Sequence, residues 1–141
     1  MRLTLQTDYA LRTLMFLAAR NRRASTSEVA LLFGISVHHV AKVVNQLARL
    51  GYIRSQRGIG GGLELARSPE NIVLGEVIEA FEGRMRLHEC VDTDNVCAIQ
   101  PFCLLKGVFA EAERLQSEYL RSKTLQDVVP TPRQLARVAV H

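Results

Sequence analysis

Apolar residues recur along this chain first at helical spacing and then, briefly, in alternation. Residues 4–19 place Tyr9, Leu11, Leu14, Met15, Leu17 and Ala18 on one broad face, predicting an amphipathic helix that Asn21-Arg22-Arg23 ends. Ser25, with Glu28 three places on, has the capping-box pattern of a second helix, whose apolar stretch is Val29, Ala30, Leu31 and Phe33 and whose stop is Gly34. Ser36 caps a third helix reaching about Arg49, buried through Val40, Val43, Val44 and Leu47 and closed by Gly51. Two β-prone runs, 52–57 and 63–65, flank the glycine-rich tip 58–62 and predict a hairpin. A further helix spans 72–81 and stops at Gly83. Residues 84–101 show no period and read as loop, 102–122 are helical again, and Pro130 and Pro132 break the remainder into a flexible tail.

Helix, helix, tight turn, helix, hairpin is the order of a winged helix-turn-helix. The predicted fold is therefore mainly α, with a small β-hairpin wing and a long C-terminal dimerisation helix. Four segments follow: a DNA-binding domain at 1–83, a cysteine-rich loop at 84–103, the dimerisation helix with a short following helix at 104–128, and the flexible tail at 129–141.

A length of 141 residues suits one domain with an appendage, and 48% hydrophobic with 23% charged residues excludes wholesale disorder. Without tryptophan and with only 6% aromatics, a base-stacking single-strand binder is excluded. No apolar run approaches the ~18 residues of a membrane span. The run 14–19 is short and preceded by Asp8 and Arg12, unlike a secretory signal, so no membrane association and a cytoplasmic location are expected. There, cysteines serve as thiols or ligands. The net charge of +4 is unevenly spread: residues 1–66 hold nine basic against three acidic residues, and 67–141 hold nine against eleven. A basic half joined to a mildly acidic half points to a polyanion-binding module beside a sensing or pairing module.

On the third helix, His38, His39 and Lys42 lie off the apolar stripe near the N-terminus, where a recognition helix reaches base edges. The predicted DNA surface also takes in the caps Ser25 and Ser36, and the wing residues Arg54, Arg57, Gly58 and Gly60, suited to backbone or minor-groove contact. A nucleotide-phosphate loop needs a helix after the glycines, whereas Leu63-Glu64-Leu65 alternates as a strand. No nucleophile–base constellation marks an enzyme; Ser36 near His38 and His39 is explained by capping and DNA contact.

Cys90, Cys97 and Cys103 are all the cysteines of the chain, spaced C-x6-C-x5-C. That spacing is too wide for the C-x2-C knuckles of structural zinc and suits the larger body of an iron–sulphur cluster. The alternative is three inert buried thiols, against which the polar neighbours Glu89, Asp92, Asp94, Asn95 and Gln100 argue. Three thiolates leave a fourth ligand position, for which His88 is a neighbour. Asp8 and Arg12, one turn apart, form a polar pair on the first helix. Leu105, Val108, Ala112, Leu115 and Tyr119 follow each other at steps of three, four, three and four, a short coiled-coil seam widened by Phe109. Joined to a DNA-binding half, the seam points to a homodimer reading a palindromic site.

Ser36 through Leu47 (SVHHVAKVVNQL), Gly51-Tyr52, the wing Arg57-Gly58-x-Gly60-Gly61-Gly62, the opening LTLQTDYALRTL and CAIQPFCLLK together resemble the bacterial winged-helix iron–sulphur regulators, in particular their nitric-oxide-sensing repressors. The resemblance covers residues 1 to about 128. It implies a dimer with one [4Fe-4S] cluster per subunit ([2Fe-2S] being the alternative) on Cys90, Cys97 and Cys103, with Asp8 from the partner subunit as fourth ligand and Arg12 supporting it. It further implies that nitric oxide, acting on the cluster, releases double-stranded operator DNA of detoxification genes. An iron-status regulator, a cluster-free thiol switch and, from another class, an electron carrier docking on an acidic partner remain the alternatives.

Overall fold

The computed structural model describes residues 2–138. Its helices are α1 (Leu5–Arg20), α2 (Thr26–Phe33), α3 (Val37–Arg49), α4 (Leu74–Glu82), α5 (Leu104–Arg121) and α6 (Pro132–Val138), and its strands are β1 (Ile53–Gln56) and β2 (Gly62–Leu65). The strands pair antiparallel, Ile53 opposite Leu65 and Gln56 opposite Gly62. This is the mainly helical winged-helix arrangement that the hydrophobic pattern predicts.

Local chemistry accounts for the boundaries. Ser25 accepts the Glu28 N–H at 3.1 Å while Glu28 accepts the Ser25 N–H at 2.7 Å, a complete capping box. Gly34 ends α2 with φ +63°, a left-handed turn that costs an L side chain strain and a glycine none. Ser36 caps α3 by accepting the His39 N–H at 3.2 Å. At the far end the Tyr52 N–H bonds the Leu47 carbonyl at 3.0 Å and the Gly51 N–H bonds that of Ala48 at 3.1 Å, a Schellman closure.

The core forms around α1, which packs on α3, α4, β2 and α6. Its inward face differs from the expected stripe: Ala10, Thr13, Leu14, Phe16 and Leu17 are buried, whereas Tyr9, Leu11, Met15 and Ala18 are only half-buried. Helix neighbours on several sides turn the stripe and bring Phe16 inward, edge-on to Phe33. On α2, Leu31 points outward at 85% exposure instead of joining the apolar stretch, because the short helix buries Val29 and Ala30. Glu82, at the end of α4, accepts the Thr4 N–H at 2.7 Å and both threonine hydroxyls of Thr4 and Thr7, which seats a carboxylate at the positive end of α1.

The C-terminal region folds back on this body. Leu74 donates its N–H to Lys123 at 2.9 Å and Leu125 to Ile72 at 2.8 Å, with Ile72 and Leu125 fully buried. Gly75 lets α4 and the end of α5 meet; a Cβ there would stand 2.8 Å from the Arg121 nitrogen. The segment expected to be a flexible tail contains α6 instead, whose Leu135 is 9% exposed and joins the core. Pro132 opens that helix, since its missing N–H is no loss at a first turn, and Thr131 accepts the Gln134 N–H at 3.2 Å. Residues 139–141 of the expected tail lie outside the described residues.

Leu135→Ala should lower unfolding stability by about 2 kcal/mol in denaturant titration, the cost of emptying an apolar site, where a mobile tail would show no change. Burial pulls the Glu82 carboxyl upward, but the bonds from Thr7 and Thr4 outweigh it and leave it below its ordinary value. Its contribution is therefore complete above the unfolded carboxylate value and lost as pH falls through the folded one. Thermal melts from about pH 6 down to about pH 3 should show a shallower acid decline for Glu82→Gln than for the parent.

Candidate nucleic-acid interface and cysteine loop

The helix-turn-helix presents a continuous exposed polar surface. Ser36, His38, His39, Lys42, Asn45 and Arg49 are exposed on α3, opposite the buried Val40, Val43, Val44 and Leu47. The cap Ser25 is exposed as well, its hydroxyl engaged with Glu28. His39 lies against α1, its ring 6.2 Å from that of Tyr9. The wing carries Arg54, Arg57, Gly58 and Gly60 in exposed positions. Every residue predicted to touch DNA thus stands on the helix caps, the recognition helix or the wing, free of the core.

The wing is braced by a residue that the sequence pattern did not single out. Arg23, in the turn after α1, donates to the Gly60 carbonyl at 2.9 Å and to Glu64 at 3.2 Å. Ala24 exchanges both main-chain bonds with Leu63, at 3.1 and 2.8 Å, and so acts as a third, one-residue strand beside the hairpin. Glu64 also faces Arg54 at 3.7 Å, so one carboxylate holds two arginines of the basic face. In the sequence, Arg22-Arg23 looked like nothing more than a polar helix end; its partners lie 37 and 41 positions away.

The three cysteines share one loop, and none is buried or in a disulfide: Cys97 is exposed, Cys90 and Cys103 half-exposed. Polar contacts hold the loop. Asp92 pairs with Arg84 and Arg86, both at 3.0 Å, and Asp94 with Lys106 at 3.5 Å. The His88 ring stacks on Phe109 with centroids 6.2 Å apart, and its Nδ1 accepts the Cys90 N–H at 3.3 Å. Glu113, buried on α5, accepts the Leu87 N–H at 2.8 Å through Oε1, while its Oε2 is the one buried side-chain polar atom without a partner among the described residues.

Three thiols on one anchored loop are the right donor chemistry for soft metals or an iron–sulphur cluster. Their placement does not complete a site: among the described residues no three His, Cys, Asp or Glu side chains converge on a common metal position. Local polar bonds, and not thiols meeting at a centre, shape this loop. Asp8 stands apart from it on α1, clasped by Arg12 through two bonds of 2.9 Å, and the Arg12 guanidinium lies 5.7 Å from the Phe33 ring centroid beside the helix-turn-helix turn. On α5 the seam residues Leu105, Val108, Leu115 and Tyr119 are each more than half exposed, a stripe uncovered by the chain's own body. No helix among the described residues is long and apolar enough to cross a membrane.

The family model Rrf2, described as an iron-dependent transcriptional regulator, matches residues 3–131. The chain is 41% identical over 132 residues to the HTH-type transcriptional regulator NsrR of Bacillus subtilis (strain 168), covering 92% of this chain and 90% of that one. It is 39% identical, over 92% of this chain and 89% of the other, to the NsrR of Shouchella clausii (strain KSM-K16). Among solved structures it is similar to the IscR of T. potens (TM-score 0.71, 25% identity, 90% and 85% covered). The fold is also that of CymR (YrzC), the global cysteine regulator of B. subtilis (TM-score 0.77, 23% identity, 92% and 96% covered). Recognition helix, braced wing and full-length kinship agree: the chain belongs to the Rrf2 family of transcriptional regulators.

Proposed function

We propose that this Rrf2-family repressor is a cytoplasmic, non-enzymatic homodimer that binds a palindromic operator and senses nitric oxide through an iron–sulphur cluster. The observation that carries the reading is the gathering of every cysteine onto one loop seated at the start of α5, in a chain about 40% identical to NsrR regulators along nearly its whole length. Cys90, Cys97 and Cys103 would hold the cluster, a [4Fe-4S] or alternatively a [2Fe-2S] centre. The partner copy's equivalent of Asp8, oriented by Arg12, completes the ligand set. When bound, such a cluster supplies iron that nitric oxide can attack.

The chain's own residues supply the rest. The α5 seam buries Leu105, Val108, Ala112, Leu115 and Tyr119 between two copies, and two-fold pairing sets the spacing of the two α3 helices. His38, His39 and Lys42 face base edges; Arg54 and Arg57, with the amides around Gly58 and Gly60, face the backbone or minor groove; the capping hydroxyls of Ser25 and Ser36 face phosphates. Arg12 links Asp8 to the turn between α2 and α3 through Phe33, so a change at Asp8 reaches the DNA-reading helices by direct contact. A second reading, a cluster-free thiol switch, draws on the exposed Cys97 and on the lack of convergence among the thiols.

The deciding experiment is anaerobic purification followed by absorption spectroscopy, iron and acid-labile sulphide analysis, and binding to an operator selected from random duplex DNA, before and after nitric oxide. A thiolate-to-iron band near ~400 nm that bleaches stoichiometrically, together with loss of operator binding, is expected. A colourless protein after reconstitution would transfer the sensor to the thiols alone. Cys97→Ala should abolish tight operator binding, and affinity equal to the parent's in that variant would overturn the cluster's role.

Arg23→Ala should weaken binding to a mixed-sequence duplex while leaving the slope of log K against log salt unchanged, since Arg23 acts through Gly60 and Glu64. Arg57→Ala, losing a backbone contact of its own, should reduce that slope by about one.

A further inference from the structure

The cysteine loop converges on a single side chain that is not a ligand. Gln100 is 9% exposed and engages both amide hydrogens and its side-chain oxygen inside the loop. Its Oε1 accepts the Val96 N–H at 3.1 Å, and its Nε2 donates to the carbonyls of Cys90, at 3.0 Å, and Thr93. These partners fix the orientation of the amide, because only nitrogen can donate to two carbonyls and only oxygen can accept from an N–H. Its main chain reaches the other two cysteines: the Gln100 N–H donates to the Cys97 carbonyl at 3.1 Å, and its own carbonyl accepts the Cys103 N–H at 3.3 Å. One residue therefore bonds the backbone of all three cysteines, while the thiols themselves stay apart.

We propose that Gln100 is the positioning residue of the three-cysteine loop, keeping Cys90, Cys97 and Cys103 in register when no metal is bound, so that a cluster can be lost and rebuilt without refolding the loop. The loop has little else to hold its centre. Its ends are fixed by Leu87 on Glu113 and by Cys103 at the start of α5, Asp92 ties the first half to Arg84 and Arg86, and the exposed Asp94 reaches Lys106 at 3.5 Å. Between Asn95 and Ile99 no side chain is buried, so apolar packing cannot shape that stretch. A buried amide with both donors and its oxygen engaged sets geometry where packing is absent, and exchanging its donors for acceptors turns two bonds into two repulsions.

The cluster-building part of the proposal rests on the iron–sulphur reading above, and the test separates the two. Full-length, reduced, metal-free protein is alkylated with iodoacetamide, and the rate at each cysteine is read by peptide mass spectrometry. In the parent, the exposed Cys97 should react fastest and the half-exposed Cys90 and Cys103 more slowly. Gln100→Glu keeps the size and the acceptor for Val96 but sets an oxygen against the Cys90 and Thr93 carbonyls. It should raise the Cys90 rate, and with it that of Cys103, by about tenfold relative to Cys97, as loss of two buried hydrogen bonds implies. The thermal midpoint of the winged-helix body should not move. Gln100→Ala should do the same and also free the Val96 amide to hydrogen exchange. Ser117→Ala, on the other end of α5, should leave all three rates as in the parent.

Unchanged cysteine rates in Gln100→Glu overturn the proposal, as do rates that rise equally at all three sites with a lowered melting midpoint, which would mark general loosening. Reconstitution with iron and sulphide supplies the second readout: the two Gln100 variants should regain the chromophore more slowly than the parent. If the parent takes up no cluster, the iron–sulphur reading fails while the alkylation result still decides the role of Gln100. If it does and the variants rebuild it equally fast, Gln100 is not the organiser.

Discussion

Helix α1 must satisfy α3, α4, β2 and α6 at once, and one helix can do so only where small side chains let its neighbours approach. Ala10, Thr13 and Ala19 serve that purpose, while Leu14, Phe16 and Leu17 fill the spaces between the packed elements. The buried Thr13 hydroxyl donates to the Tyr9 carbonyl within the helix, and Thr7 to Glu82, so neither polar group is left orphaned in the core. What α1 does not bury stays at the surface: Asp8 and Arg12 pair there, and Tyr9 rests against His39. The helix that organises the core is thereby in contact with α3.

The exposed polar face of α3 and the wing is stiffened by hydrogen bonds within the chain. Capped N-termini on α2 and α3 leave the recognition helix with fixed ends, and the wing, whose glycine-rich tip has little intrinsic order, is tied to the body by Arg23 and Ala24. Glu64, lying between Arg23 and Arg54, tempers the charge of this face and holds both side chains in place, an exposed arrangement worth more as geometry than as stability.

The cysteine loop follows another rule. It has almost no apolar core, and its shape comes from polar residues acting at a distance in sequence: Asp92 on the two arginines, Glu113 on Leu87, and Gln100 on the cysteines themselves. Such a loop keeps its cysteines accessible while holding its backbone. The α5 helix thus carries both the loop, through His88 on Phe109, and an exposed apolar seam.

The helix order, the caps at Ser25 and Ser36, the turn at Gly34 and the hairpin were all legible from local pattern, because capping, left-handed glycines and hydrophobic period depend on residues within a turn of each other. The same locality made His38, His39, Lys42 and the wing arginines visible as an exposed surface, and C-x6-C-x5-C visible as a unit. Tertiary structure alone decided the rest. The rotation of α1 that buries Phe16 depends on neighbours far along the chain; Leu135 is one of several apolar residues in a proline-broken segment, and only the folded core gives it a buried place. Arg23 finds Gly60, and Glu113 finds Leu87, across 37 and 26 positions respectively. Hydrogen bonds between distant polar groups leave no periodic trace in a sequence, since nothing about either residue alone tells which partner the folded backbone will bring within 3 Å.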